Sequence, residues 1–306
     1  MKFAYNKVAL IGLGLIASSI VHALRRAGFE GAITGTARSE ATRAKAREIE
    51  LCEVFETPGE AVKGADLVIL CVPVGAMASV MGEVAPNLKP GCLLSDVGSV
   101  KVAVIDAVRP LLPEGVTFIP SHPLAGTEQS GPEAGFAELF DERWCLLTPL
   151  EGTEQSLVDD YAAFWQALGS KVDFMEPEHH DLVLAVTSHA PHLIAYTMVG
   201  VADDLRRVTA SEVVNYSAAG FRDFTRIAAS DPTMWRDVFL NNKQATLEIL
   251  GRFTEELFSL QRAIRTGDGE QLFDYFTRTR AIRRGILDAG QDTEAPDFGR
   301  VTRDKK

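Results

Sequence analysis

Through the first half of the chain, short apolar runs alternate with stretches whose apolar residues recur at helical spacing. The runs fall at 8–11, 32–34, 67–72, 93–95, 117–119 and 145–147, and such alternation predicts a parallel sheet with helices laid between its strands. The first intervening stretch, 16–26, keeps its apolar residues on one helical face, and Gly28 follows where a left-handed residue would end the helix. A helix near 154–168 and a short strand at 171–175 read as a last addition to the same sheet. Glu176 and Pro177 mark a hinge, beyond which 181–206, 232–264 and 269–287 show helical spacing and no convincing strand. The expectation is an α/β domain over 1–176, an all-α domain over 177–290, and a polar, aperiodic tail over 291–306 that stays disordered. The helices around 194–201 and 247–258 carry wide apolar faces. These form the core of the helical domain or bury a partner subunit, and a homodimer is expected.

Composition narrows the classes of function. In 306 residues, 46% are hydrophobic and 24% charged, and 42 acidic against 31 basic residues leave a net charge of −11. That charge excludes nonspecific attraction to nucleic acid as a basis for function. The longest strongly apolar run, 67–74, is far short of the roughly 18–20 residues of a membrane-spanning helix, so no membrane segment is expected. The first residues, MKFAYNKVALIGLG, do not read as a secretory signal, which makes the cytoplasm the expected address. Cys52, Cys71, Cys92 and Cys145 are scattered, with no CxxC pair and no histidine at metal-ligand spacing. Reduced thiols and no metal are expected.

The first strand runs directly into Gly12, Gly14 and Ala17, a GxGxxA string opening a helix. In that context the first glycine permits the tight turn, the second lets backbone amides approach a pyrophosphate, and the small alanine lets helix pack on strand. The α/β domain is therefore Rossmann-type and binds a dinucleotide. Leu15 and Ile16 in the same turn and Val72 at the end of another strand complete its candidate wall. At the end of the second strand, an acid would accept hydrogen bonds from the adenosine ribose of NAD. Here the chain reads Thr36, Ala37, Arg38, Ser39, and a guanidinium beside hydroxyls suits a ribose phosphate. NAD(P) is the expected cofactor, with NADP slightly favoured. Arg38 has a second reading as a solvated charge or a residue stacked on adenine with either cofactor.

Three further segments concentrate polar, glycine and proline chemistry: DVGSVK at 96–101, SHPLAGTEQSG at 121–131 and TSHAPH at 187–192. The first two follow apolar strands and so fall near the carboxyl ends of the sheet, where open α/β folds bind ligands. His122 has a reason to be exposed there. His179 and His180 are adjacent on a helix and point apart, so they read as surface or interdomain residues.

Taken together, GLGLIASS, DVGSVK, SHPLAGTEQSG, SHAPH and GFRDFTRIAASDPTMWRDVF resemble the TyrA family of prephenate and arogenate dehydrogenases, in family order, from about 8 to about 284. The resemblance implies a helical dimerisation domain and a small-molecule substrate. The implied reaction is oxidative decarboxylation of a cyclohexadienol to 4-hydroxyphenylpyruvate or tyrosine, in tyrosine biosynthesis. It also implies roles: His122 as the base, Ser99 bonded to that histidine or to the substrate hydroxyl, and Arg226 on the leaving carboxylate. His192 is implied as a substrate contact, with Ser188 beside it and Trp235 supporting the pocket, although Pro191 also allows a simple helix-start motif and Trp235 a core role. An acid near the substrate side chain would favour the ammonium of arogenate, and Glu128 and Glu133 are the candidates. A dehydrogenase that accepts both substrates is expected. Two rivals stay open. A β-hydroxyacid dehydrogenase or ketol reductase would carry a catalytic lysine on its helical domain, but Lys243 sits in no matching motif. A non-catalytic cofactor sensor would bind dinucleotide without turnover.

Overall fold

The computed structural model describes residues 3–127, 129–209 and 219–288. Glu128 and the tail over 291–306 lie outside them. A six-stranded parallel sheet is built from β1 (Lys7–Ile11), β2 (Ala32–Thr36), β3 (Glu53–Val54), β4 (Leu67–Leu70), β5 (Leu93–Asp96) and β6 (Thr117–Phe118), in the order β3-β2-β1-β4-β5-β6. The central strands are buried on both faces and read as continuous apolar runs for that reason. Helices α1 (Leu15–Arg26), α2 (Glu40–Glu48), α3 (Pro58–Ala61), α4 (Met77–Val84) and α5 (Val102–Val108) connect them. One apolar cluster, with Val8, Leu10, Ile20 and Leu24, covers one face, and a second, with Ala9, Leu70, Met77 and Val104, covers the other. This is the doubly wound dinucleotide-binding architecture expected from the sequence.

The later strands correct the expectation of a single sheet. β7 (Ser121–Pro123), β8 (Trp144–Leu147) and β9 (Lys171–Phe174) form a second sheet, with β7 antiparallel and β9 parallel to β8. The chain leaves the first sheet at Pro120, which has no N–H to extend the ladder and whose carbonyl instead accepts from the Thr148 N–H at 3.0 Å. Buried hydroxyls tie the sheets together. Ser95 Oγ donates to the Ile119 carbonyl at 2.6 Å, Ser121 Oγ to the Asp96 carbonyl at 2.5 Å, and Tyr161 on α6 (Gln155–Ala167) donates to Ser95 Oγ at 2.7 Å.

The helical half comprises α7 (Pro177–Leu184), α8 (Ala190–Thr209), α9 (Ala219–Thr225), α10 (Pro232–Asn241), α11 (Lys243–Thr266) and α12 (Gly269–Asp288). Between α7 and α8 the helix widens to a π turn over Ala185–His189, where the Ala190 N–H reaches back to the Ala185 carbonyl. Pro191 offers no N–H to the carbonyl four residues earlier, and the wider turn lets its ring pass. The stretch 232–264, read as helical in spacing, is divided at Asn242, whose backbone (φ −114°, ψ 42°) is non-helical. Compactness divides the chain into Met1–Leu247 and Glu248–Lys306. The first unit thus runs well past Glu176, because Trp235 and Val238 of α10 join the apolar cluster around Val74 and Met77. Among the described residues, an 18-residue window within Pro177–Asp204 reaches a mean hydropathy of 1.4, a length and composition that core helices of soluble proteins share. The apolar residues of Pro177–Asp204 are interrupted by His180, Asp181, His189 and His192, so counting uninterrupted runs passed over it.

Candidate active site

The first turn is shaped for an anion. Gly12 has φ +100°, and a Cβ there would stand 2.4 Å from the Cys71 carbonyl oxygen. A Cβ on Gly14 would meet nothing within 4 Å. Gly14 is the N-cap of α1, where no side chain caps the helix and no acid occupies the first turn, so its N–H groups and the positive end of its dipole are left for a ligand. Ala17 is fully buried, while Leu15, Ile16 and Val72 are half-buried around the opening. These residues fit a dinucleotide pyrophosphate.

At the end of β2, Arg38 and Ser39 are exposed, and Arg43 Nη1 donates to the Ala37 and Arg38 carbonyls at 2.7 and 3.1 Å, fixing the loop's course. Thr36 departs from expectation. It is buried and its hydroxyl donates to the Phe55 carbonyl at 2.8 Å, so it ties β2 to the neighbouring chain rather than offering a hydroxyl to a ribose.

The DVGSVK loop after β5 is braced from within. Buried Asp96 accepts from the Gly98 N–H at 2.7 Å and the Ser121 N–H at 3.3 Å, and pairs with Lys101. Lys101 Nζ also donates to the Ser121 carbonyl at 2.6 Å, pinning this loop to β7 next to His122. Burial pushes the Asp96 carboxyl up, against the pull of Lys101.

His122 is 8% exposed. Its Nδ1 lies 2.9 Å from His180 Nε2, and His180 Nδ1 lies 2.8 Å from Asp181 Oδ1. The Asp181 carboxylate accepts from the Lys101 N–H at 2.7 Å and the Val102 N–H at 3.0 Å, so it caps the start of α5. Among the described residues, His122 Nε2 has no hydrogen-bond partner, and the atom is not fully buried, so it lies open to the site. Burial, then the charge fields of His180, Lys101 and His189, hold His122 well below its ordinary value. The neighbour of its Nδ1 is His180 and not Ser99. Ser99, half-buried in the loop, makes no side-chain hydrogen bond among the described residues.

From the helical side, His192 stacks on Trp235 with ring centroids 3.7 Å apart, and its Nδ1 donates to the Ser188 carbonyl at 2.8 Å. Burial and, less strongly, the charge of Arg226 lower the His192 pKa, and the 3₁₀ turn over Arg226–Ala229 that carries Arg226 packs against α8. Trp235 is both core residue and platform. It is buried, and its Nε1 has no hydrogen-bond partner among the described residues. Ser188 contributes its backbone to His192, its side chain remaining half-buried. Behind them, Asn242 Nδ2 donates to the Asp181 carbonyl at 2.7 Å and to His189 Nδ1 at 3.1 Å. Burial lowers the His189 pKa to about 4.

Glu133 is exposed on a turn over Pro132–Ala134 that packs against α1 and α2, with its carboxylate beside Gly131 and its charge acting on Lys45. That is the flank of the cofactor domain, so its position gives no direct support for a role at the substrate side chain. Of the pair read as surface or interdomain residues, His180 meets His122 from beyond the Glu176 hinge, and Asp181 was passed over by sequence. His179 is exposed as read, but its neighbour is fully buried. The overlooked signal was the face shared by His180 with Leu184 and by Asp181 with Ala185 and His189 at i, i+4 spacing.

Residues 20–174 match the family model for the nucleotide-binding domain of prephenate dehydrogenase, and residues 176–278 match the one for its dimerization domain. The chain is 41% identical over 283 residues to the cyclohexadienyl dehydrogenase of Zymomonas mobilis, covering 92% of this chain and 96% of that one. It is 32% identical over 283 residues to the prephenate dehydrogenase of Bacillus subtilis, covering 92% and 76%. Among solved structures, prephenate dehydrogenase from Aquifex aeolicus, in complex with hydroxyphenyl propionate and NAD+, superposes with a TM-score of 0.85 at 31% identity, covering 94% of this chain and 100% of that one. The fold, the paired domains and these likenesses agree: the chain belongs to the prephenate dehydrogenase family.

Proposed function

We propose that this NAD(P)-dependent dehydrogenase is a cyclohexadienyl dehydrogenase that takes both prephenate and arogenate, yielding 4-hydroxyphenylpyruvate and tyrosine. The observation that carries the reading is the open Nε2 edge of a neutral His122, in a chain whose Ser99 hydroxyl makes no side-chain hydrogen bond among the described residues. Similarity to the Zymomonas cyclohexadienyl enzyme supports the double substrate range.

The residues account for the chemistry. When bound at the Gly12–Gly14 turn, the nicotinamide cofactor supplies the acceptor for the hydride of the ring carbinol. His122 Nε2 takes the carbinol hydroxyl proton, with Ser99 Oγ orienting that hydroxyl. As the carbinol carbon becomes carbonyl-like, the ring carboxylate leaves as carbon dioxide. The electron pair of its C–C bond enters the ring, which becomes aromatic. The carbinol oxygen ends as a phenol, so the imidazole returns the proton it took and the reaction releases none. Arg226 holds the departing carboxylate as a planar cation, and His192, braced by Trp235, contacts the substrate from the helical side.

NADP is slightly favoured in this reading, because Arg38 and Ser39 are exposed at the end of β2 where an NAD-specific enzyme would place an acid. The exposed Met198, Val199 and Val201 of α8, and Leu257 and Phe258 of α11, support a homodimer. The four free cysteines suit a cytoplasmic address. The test is the rate of reduced-nicotinamide formation with each substrate crossed with each cofactor. Turnover is expected in all four combinations, with kcat/KM for NADP a few-fold above that for NAD and Arg38→Ala erasing the difference. A strong NAD preference would remove the role given to Arg38, and turnover with only one substrate would remove the double range.

The pH profile follows from the burial of His122. Its folded pKa lies well below 6.5, so the neutral, proton-accepting form persists above that lowered value and is lost only as pH falls through it. The kcat/KM profile should therefore stay flat from about pH 8 down to pH 6.5, where an exposed histidine would be about half protonated. An acid limb with its midpoint at or above pH 6.5 would contradict His122 as the titrating base.

A further inference from the structure

We infer that His180 and Asp181 are positioning residues for the proton transfer: they hold His122 in the tautomer that carries its proton on Nδ1 and presents the Nε2 lone pair to the substrate hydroxyl. The inference rests on the reading of His122 as the base and names what sets that base's orientation and protonation pattern.

The chain of donors starts at Asp181. Its carboxylate is already committed as an acceptor, taking the Lys101 and Val102 N–H groups at the start of α5, and a carboxylate has no proton to give. The 2.8 Å contact between Asp181 Oδ1 and His180 Nδ1 is therefore a hydrogen bond donated by His180. A neutral imidazole with its proton on Nδ1 has a lone pair on Nε2. The 2.9 Å contact from His180 Nε2 to His122 Nδ1 must then be donated by His122. A neutral His122 with its proton on Nδ1 is left with its lone pair on Nε2, the edge open to the site. Burial keeps both rings below the ordinary histidine value, so neither carries a second proton that would break the pattern near neutral pH.

The same chain serves the other half of the cycle. Once Nε2 has taken the hydroxyl proton, the His122 imidazolium still donates through Nδ1 to His180, whose dipole is aligned by the Asp181 carboxylate. The proton stays on Nε2, from which it returns to the forming phenol oxygen. Asp181 is anchored by two backbone N–H groups and His180 is fully buried, so the imidazole is held in place throughout. A buried aspartate that orients a catalytic histidine does this work in serine proteases with one ring. Here a second ring intervenes.

The test compares three variants of the full chain: His122→Asn, His180→Phe and His180→Gln. Phenylalanine keeps the ring shape and removes the acceptor, whereas the glutamine carbonyl can reach the place of Nε2 and accept from His122. His180→Phe is expected to lower kcat about 100-fold with KM moved less than about threefold, and His180→Gln to recover kcat to within about tenfold of the parent, as for loss and restoration of base orientation. NADPH titration of each variant checks that the cofactor domain is intact. If His122→Asn loses activity while His180→Phe stays within about threefold of the parent, the positioning role is refuted and the base survives. Equal impairment in Phe and Gln variants would assign His180 a purely packing role. Activity retained in His122→Asn would instead overturn the base itself. Because either His180 variant can fail to fold, the parent protein labelled with ¹⁵N-histidine supplies a second reading. Its His122 signals, identified by their loss in His122→Asn, should show a protonated Nδ1 and an unprotonated Nε2, and the reverse assignment would refute the inference.

Discussion

His122→Asn is expected to lower kcat about 1000-fold with either substrate, within the span that a positioned general base contributes, while leaving NADPH affinity unchanged. Asparagine is the informative replacement because its amide can still donate toward His180 Nε2 from near the place of Nδ1, 2.9 Å away in the parent. What it removes is the Nε2 lone pair. The brace of Lys101 and Asp96 is untouched, since Lys101 bonds the Ser121 carbonyl and not the His122 ring. Steady-state kinetics at saturating cofactor read the result. A loss smaller than about tenfold would mean that the hydroxyl proton goes elsewhere, with Ser99 or solvent as the acceptor, and the pH argument built on the buried imidazole would fall with it.

How much of this was legible in the chain depends on whether the deciding interaction is local. The strands at 8–11 and 67–72 announce themselves because burial on both faces demands continuous apolar runs, and observed β1 and β4 fall within a residue or two of them. The nucleotide turn is legible for a similar reason: Gly12 and Gly14 answer to backbone constraints set within a few residues. The second sheet is not, since only the pairing of Ser121–Pro123 with Trp144–Leu147 reveals that the chain has left the first one at Pro120. The burial of His180 is hidden for the same physical reason. Its partner His122 is 58 positions away, and a histidine next to another histidine on a helix gives no local hint of which is buried. The helix broken at Asn242 adds a third case. Apolar spacing continues across the break, while the Asn242 side chain is drawn to the Asp181 carbonyl and His189.

The two glycines of the nucleotide turn should separate folding from binding. At Gly12, a methyl group would stand 2.4 Å from the Cys71 carbonyl oxygen and 2.8 Å from its carbon, both backbone atoms at the end of β4, at φ +100°. Strained backbone and overpacking each cost about 1–3 kcal/mol, so Gly12→Ala is expected to lose about 2–6 kcal/mol of a stability that is commonly about 5–15 kcal/mol. Gly14 is different. Its φ of −95° is open to any residue and a methyl group meets nothing within 4 Å, so Gly14→Ala should cost no more than about 1 kcal/mol, the usual loss at a poorer N-cap. The methyl group would instead occupy the space where a pyrophosphate must approach the α1 N–H groups, and NADPH affinity should fall at least about tenfold, a loss of roughly 1.4 kcal/mol. Denaturant midpoints paired with NADPH titrations read both effects. If Gly14→Ala binds NADPH as the parent does, the open space at the start of α1 is not the pyrophosphate site. If instead it unfolds as readily as Gly12→Ala, Gly14 serves the turn and not the ligand, and the division of labour between the two glycines is wrong.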